Sequence, residues 1–227
     1  SLHDALPISS KAGKAESTEG YEIKAQFCFD PELGYYECDK IDPGSAAWIN
    51  LPEGGKIRII PYKFRKSPSI LQADIWHTTI YAQGEQDGNK VNVCHVVLGA
   101  DETADITIPA PPTPPEYTTE IRLYRFDKDG NPAQPSFYKD IKESKNKQTD
   151  TLRWLMLADP NGNDAFQSRT TVLSWDPQTL IGGKENERWL ISEGINKTGV
   201  GQQPQDMKKI SSLQVSGRDT KFFTVIY

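Results

Sequence analysis

Residues 117–131 read YTTEIRLYRFDKDGN, and this stretch decides the fold class. Its first part is rich in threonine, isoleucine, tyrosine and phenylalanine, residue types that favour β-strands. The DKDGN that follows, at 127–131, contains an Asp-Gly pair, which supplies the positive φ that tight hairpins need. We therefore predict a strand that ends in a hairpin at 127–131.

The same pattern recurs along the chain, with strand-like runs separated by clusters of glycine, proline, asparagine and aspartate. Apolar and polar residues alternate strictly over 21–29, which predicts a half-buried strand, and 86–89 predicts a second hairpin. The further candidate strands are 35–38, 56–64, 74–82, 90–98, 104–108, 117–126, 136–141, 151–157, 170–175, 188–192, 210–215 and 221–227. The best helix candidate, 205–210, is under two turns. We predict an all-β protein of two tandem antiparallel, immunoglobulin-like β-sandwich domains.

The domain limits follow from a proline-rich stretch, PAPPTPP at 109–115. Prolines cannot donate to a sheet ladder and prefer an extended conformation, so we predict a linker at 109–116. It separates a first sandwich at 21–108 from a second at 117–227, each of ordinary domain size. The alternative is a proline-rich crossing between sheets within one domain.

The first twenty residues are expected to lie outside the sandwiches. Residues 1–8, SLHDALPI, resemble a translated sequencing adapter, and an ordinary disordered terminus is the alternative. Residues 9–20 are small and polar, which predicts a flexible tether to a segment upstream.

Composition excludes several classes of protein. The net charge is −5 and no block of lysine and arginine occurs, which argues against a nucleic-acid partner. No apolar run approaches the roughly 18 residues of a membrane helix. A soluble globular protein remains, without a nucleic-acid partner and without a membrane span in this stretch.

Few residues suggest catalysis or metal binding. Cys28, Cys38 and Cys94 lack zinc-site spacing. Cys94 and His95 are neighbours on a strand, so their side chains should face opposite ways and cannot act as a nucleophile and base. His77 and His95 could approach across neighbouring strands, but no third metal ligand is evident. We therefore predict no catalytic, metal-binding or cofactor-binding residues, no cofactor, and no enzymatic activity.

Two acidic loops, at 127–131 and 159–164, resemble calcium loops superficially. Both depart from the EF-hand pattern in the positions of glycine and of the final ligand. Ordinary turns are the favoured interpretation, and a calcium cage of another type stays open for the second.

Cysteine pairing depends on the compartment. A hairpin turning at 30–34 places Cys28 opposite Tyr36 and makes Cys38 its diagonal neighbour, near the distance limit for a disulfide. A bridge between Cys38 and Cys94 around Trp48 is the weaker alternative.

Tryptophans are the remaining functional candidates. Trp154, Trp175 and Trp189 lie within or beside strand-like runs and are tentative ligand-binding residues. Exposed indoles could stack on sugar rings, whereas the alternative is that all three are core residues.

Residues 51–62, LPEGGKIRIIPY, and 117–131 together resemble strand-and-hairpin stretches of fimbrillin-like, immunoglobulin-like surface proteins of Bacteroidota-type bacteria. That resemblance implies tandem sandwiches that are exported, lipid-anchored and used for pili, adhesion or glycan handling. It also implies an extracellular or outer-surface location, with an anchor in a segment upstream of residue 1.

We therefore expect a secreted or surface-anchored protein with an adhesive, pilus-like or structural role. Its partners would be protein or glycan surfaces, or further copies that join through edge strands. The alternatives are a carbohydrate-binding module of a larger glycan-processing protein and a viral or phage capsid or tail protein.

Overall fold

The structure, a computed structural model, describes residues 13–30, 34–42, 47–61, 76–86, 89–101, 105–112, 119–144, 151–161, 169–180, 188–198, 201, 203–217 and 219–227. By contacts within the chain it divides into two compact units, residues 1–71 and 72–227. We call these unit 1 and unit 2.

The described residues contain β-strands and a single turn of 3-10 helix, Pro177–Thr179. The strands are β1 Gly13–Ser17, β2 Ala25–Asp30, β3 Gly34–Glu37, β4 Ala47–Asn50, β5 Ile57–Pro61, β6 Trp76–Gln86, β7 Asn89–Asp101, β8 Ile106–Pro109, β9 Glu120–Phe126, β10 Pro132–Glu143, β11 Arg153–Asp159, β12 Arg169–Ser174, β13 Leu190–Glu193, β14 Gln205–Asp206, β15 Ser212–Gly217 and β16 Lys221–Ile226. The predicted all-β character is confirmed. No helix in this part of the chain has the length and apolarity needed to span a membrane.

Unit 1 contains two small sheets, the pair β1-β5 and the three-stranded sheet β3-β2-β4. Its core is correspondingly small, with Ala15, Cys28 and Ile41 buried together. Phe27 is also fully buried and lies against Trp48 at 5.6 Å between ring centroids. The prediction of a tether over 9–20 is wrong for Gly13–Ser17, which pair with β5. One alanine was too little apolar signal to reveal this strand.

Unit 2 contains one eleven-stranded sheet in the order β14-β13-β16-β11-β9-β10-β7-β6-β12-β15, with β8 paired to β10 outside that path. Most pairs are antiparallel, but β10 and β7 are parallel. The sheet curls over its own apolar face, so that residues from both halves share one core. Trp154 and Trp189 stack within it, with ring centroids 5.8 Å apart and an interplanar angle of 15°.

Strand β10 allows the curl because its pairing changes along its length. Pro132 and Ala133 pair with β9, whereas residues 139–143 pair with β7. The register with β9 shifts between Ala133 and Phe137, and Phe137 still pairs with Leu123 of β9 before the pairing with β7 begins at Lys139. Strands that turn from one layer into another commonly carry such irregularities.

Both predicted hairpins are found where the structure describes them. Asp127 N donates to Asn131 O at 2.9 Å and Gly130 N to Asp127 O at 3.1 Å, which closes the turn. Gly130 has φ +89°, as the Asp-Gly pair predicts. Gln86 pairs with Asn89 between β6 and β7, while residues 87–88 lie outside the described part. The best helix candidate, 205–210, is not a helix, because Gln205–Asp206 form β14 and a turn follows.

The two tandem sandwich domains are not confirmed. Strands before the proline-rich stretch, β6 to β8, share one sheet with the strands that follow it. Ala110 N donates to Ser136 O at 3.0 Å, so the described start of that stretch lies beside β10. The division into compact units falls between residues 71 and 72 instead. Alternation along a strand reveals its buried face but not its partner, which is why the sequence did not reveal this pairing.

The cysteines pair as the hairpin register suggests. Cys28 lies opposite Tyr36, and Cys38 N donates to Gln26 O at 3.0 Å. Cys28 and Cys38 therefore become diagonal neighbours, with Cα atoms 5.8 Å apart, and they form a disulfide. Cys94 keeps a free thiol, so the alternative bridge from Cys38 to Cys94 does not form.

Removing this bridge should destabilise unit 1 selectively. The cysteines are 10 residues apart in sequence, and closing a loop of that size contributes about 3 kcal/mol in the chain-entropy account. We expect Cys28→Ser to lower the denaturant midpoint of unit 1 and to leave the tryptophan fluorescence transition of unit 2 in place. Cys94→Ser is the matched control; an equal effect of Cys28→Ser on both transitions would contradict the assignment.

Candidate functional site

The three candidate tryptophans lie in the core of unit 2. Trp154 and Trp189 are fully buried and Trp175 is 4% exposed. The indole nitrogens of Trp154 and Trp175 donate to backbone oxygens, of Asp140 and Met207, both at 2.9 Å. Buried indoles present no ring face to a sugar, so this structure corrects the ligand-binding interpretation in favour of the core alternative.

Cys94 and His95 face opposite sides of β7. The Cys94 thiol points inward, 3.6 Å from Thr119 O, and burial raises its pKa to about 12. His95 lies on the outer face, so the two side chains do not form a catalytic pair. On β6, His77 is paired with Gly99 of β7, whereas His95 of β7 is paired with Tyr81, four residues beyond His77. The two histidines are therefore not cross-strand partners. Among the described residues, no group of three or more histidines, cysteines and acidic residues could hold a metal ion.

The acidic loops behave as turns where they are described. Asp127 Oδ1 accepts hydrogen bonds from Asn131 N and Asp129 N, each at 2.8 Å. The backbone hydrogen bond from Asn131 is the main cause that lowers the pKa of Asp127. In the second loop Asp159 Oδ1 accepts from Asn161 N at 2.9 Å, and residues 162–164 lie outside the described part.

One charged cluster in unit 2 is partly buried. Asp140, with no exposed side-chain surface, lies 2.8 Å from Arg125 Nη2 and 2.9 Å from Lys142 Nζ; the lysine contact is outside hydrogen-bond geometry. Arg125 also holds Asp105, which lowers the pKa of that carboxylate. The same bonds raise the pKa of Arg125, with Asp105 as the larger cause. Each carboxylate is paired with at least one cation, so these residues have charged partners within the fold.

The layer β15-β12-β6-β7 has one face that points away from the core, and we call it the outer face. Paired residues form rows across it, and most but not all of their side chains are polar. Its first row runs across the four strands through paired residues, Ser212, Ser174, Tyr81 and His95. A second row begins with Gln214 and Val172. In a third, the hydroxyl oxygens of Thr170 and Ser216 are hydrogen bonded at 3.0 Å. The first row carries hydroxyl groups, an imidazole and a phenol, with no formally charged side chain when His95 is neutral.

Tyr81 is the exposed aromatic residue of this face. The residue is 44% exposed, and its ring lies 5.4 Å from the His95 ring at a 35° tilt. His95 Nε2 is in turn hydrogen bonded to the largely buried Tyr138 hydroxyl at 2.7 Å. Burial lowers the pKa of His95. A neutral imidazole, fixed by Tyr138, therefore supports one side of an exposed phenol ring.

Sequence reasoning did not single out Tyr81. The signal was available, because Ile80 and Ala82 flank it within the candidate strand 74–82. Alternation places Tyr81 on the opposite face from these two apolar residues. What the sequence did not reveal is that Ser174 is its cross-strand neighbour and that Ser212 lies one strand further along the same row.

The strand β15 lies at the end of the sheet order, and within the described part of the chain it pairs with β12 only. Its sequence, SLQVSG, contains no charged residue. Edge strands are commonly protected by lysine, proline or bulges, because their unpaired backbone groups can accept another strand. The edge formed by β15 contains neither a charged residue nor a proline that would protect it in this way.

No protein-family model matches the chain, and no curated protein or solved structure is significantly similar to it.

Breaking the charged cluster should destabilise unit 2. Arg125→Met leaves the buried Asp140 carboxylate with Lys142 alone, and we expect a loss of about 2 kcal/mol in the free energy of unfolding, reduced by the partial exposure of the guanidinium. The double variant Arg125→Met/Asp140→Asn should recover most of that loss, because no buried charge remains. Chemical denaturation of Arg125→Met, Asp140→Asn and the double variant measures the coupling energy between the two residues. If the two single losses simply add in the double variant, the predicted coupling is wrong.

His95 should make the stability of unit 2 depend on pH. Because burial holds the pKa of His95 below 6.5 in the folded chain, the imidazole binds a proton more readily in the unfolded chain. The free energy of unfolding should therefore fall as the pH drops below about 6.5, until the folded pKa is passed. We expect His95→Gln to flatten the profile between about pH 7.5 and 5 in denaturation series. His77→Gln is the control for an exposed histidine, and an unchanged slope in His95→Gln would refute the prediction.

Proposed function

We propose that the chain is an exported, surface-associated β protein with an adhesive or structural role and no enzymatic activity. The observation that carries the proposal is the Cys28–Cys38 disulfide. Structural disulfides persist in oxidising compartments and are rare in the cytosol, so the bridge favours export. The resemblance of 51–62 and 117–131 to fimbrillin-like surface proteins supports the same compartment.

Contact with a partner would use the outer face and the edge next to it. β15 presents an uncharged edge that can accept a strand from another chain or another copy. The outer face adds exposed side chains that can make specific contacts, with Tyr81 the most exposed aromatic among them. These features suit attachment to a surface.

A second candidate, a carbohydrate-binding module of a larger protein, is favoured by the exposed ring of Tyr81 beside hydroxyl groups. It differs from the first candidate in its partner, because an adhesive protein can also recognise proteins or further copies of itself.

Surface display tests the leading proposal. The full chain, exported and anchored on a bacterial cell, should carry the Cys28–Cys38 bridge and increase several-fold the retention of those cells on immobilised protein, on polysaccharide or on one another. Cells with the anchor alone are the control, and thiol labelling measures the bridge. A chain that stays reduced after export would overturn the compartment, and retention equal to the control on every surface would overturn the adhesive role. Assembly of the purified chain into closed shells or tubes would also overturn it, in favour of a viral structural protein.

A further inference from the structure

We propose that the outer face is a binding site for a neutral polysaccharide, with Tyr81 as the ring on which a sugar stacks. The inference rests on the proposed function and names the chemical class of the partner. It begins from the exposure of Tyr81, an aromatic strand residue that is 44% exposed. In the strands of unit 2 that the structure describes, every other aromatic side chain with a defined exposure is buried or half-buried.

The ring is held in place before any ligand arrives. His95 lies against it at 5.4 Å between centroids, and the hydrogen bond of His95 to Tyr138 fixes the imidazole in turn. A rigid platform loses little conformational freedom on binding, so more of the stacking energy appears as affinity. An ordinary solvent-exposed tyrosine would have no such support.

The neighbours of the ring match the polar edges of a sugar. Ser174 lies directly across from Tyr81, and Ser212 follows across the next strand pair. Ser212 and Gln214 are exposed on the same face. A sugar ring has an apolar face that can stack on an aromatic side chain and hydroxyl groups at its rim that exchange hydrogen bonds. Tyr81 with the hydroxyl and amide groups beside it provides both kinds of contact.

Charge selects a neutral ligand. The first row has no formally charged side chain, and in the third row Glu85, opposite Thr170, is paired on its other side with Lys90 of β7, so that row has no net formal charge. A polyanion would find no cation in the row that carries Tyr81. The net charge of −5 acts in the same direction.

The size of the face selects a chain over a single sugar. Neighbouring strands lie about 4.8 Å apart, so the row from β15 to β7 extends over roughly 14 Å. A single sugar ring would use only the part around Tyr81. A polysaccharide running across the strands would contact Tyr81, Ser174 and Ser212 in succession.

Affinity electrophoresis of the full chain tests the inference directly. We expect the protein to be retarded in gels that contain at least one soluble neutral polysaccharide from a set of glucans, mannan and xylan, and to migrate freely with alginate and hyaluronan. Tyr81→Ala should weaken binding at least about tenfold, because it removes the central aromatic contact. Tyr81→Phe should retain most of the affinity, and Ser174→Ala should weaken it several-fold.

The matched control is Tyr36→Ala, which removes an exposed strand tyrosine in unit 1 and should bind as the unaltered chain does. The thermal midpoints of all variants are measured, so that unfolding is not read as lost binding. Free migration with every neutral polysaccharide, retardation by the acidic ones alone, or full affinity in folded Tyr81→Ala would each overturn the inference. Displayed cells that still adhere to protein or to one another would then show that the proposed function survives without the glycan site.

Discussion

The large sheet of unit 2 must cover its own apolar face. Alternation along β6, β7, β11, β12 and β16 sends one side chain in two to the same side, and the described part of the chain contains no α-helix to pack there. The sheet therefore curls until its two halves share one core, which includes the stacked rings of Trp154 and Trp189. β10 makes this closure possible, since it leaves β9 and joins β7 within twelve residues.

The same strand links the interior to the outer face. Asp140 of β10 points inward, where its side chain binds Arg125 and its backbone oxygen accepts from Trp154. Two residues earlier, at the register irregularity between Phe137 and Lys139, Tyr138 is hydrogen bonded to His95, the cross-strand neighbour of Tyr81. The irregularity in β10 thus lets one strand complete the core and support the outer face. A change that moved its register would disturb the charged cluster and the Tyr81 platform together.

Local features of this fold could be predicted from the sequence, whereas distant pairings could not. The hairpin at 127–131 and the Cys28–Cys38 bridge depend on turn chemistry and on register across one turn, and both follow from neighbouring residues. The pairing of β7 with β10, and of β6 with β12, joins segments far apart in sequence and leaves no local signal. Trp175 illustrates the consequence, because its indole nitrogen donates to Met207 O, a partner that no pattern around residue 175 could identify. Tyr81 illustrates the opposite case, since alternation alone places it outside, yet only the pairing shows which hydroxyl groups surround it.

The two units solve the problem of stability by different means, and this separates the two functional arguments. Unit 1 has only three buried residues in its described core cluster, and small cores commonly need a covalent link, which the Cys28–Cys38 bridge supplies. Unit 2 buries a much larger set of side chains and has no bridge among its described residues. Its cysteine, Cys94, is a thiol whose pKa is raised by burial to about 12, so it is a poor nucleophile. The argument for export therefore depends on unit 1, because only its bridge requires an oxidising compartment. The argument for glycan recognition depends on unit 2, whose self-covering core leaves the opposite face of β15-β12-β6-β7 to solvent-facing polar groups and Tyr81. The two arguments therefore draw on different residues and are tested by different experiments.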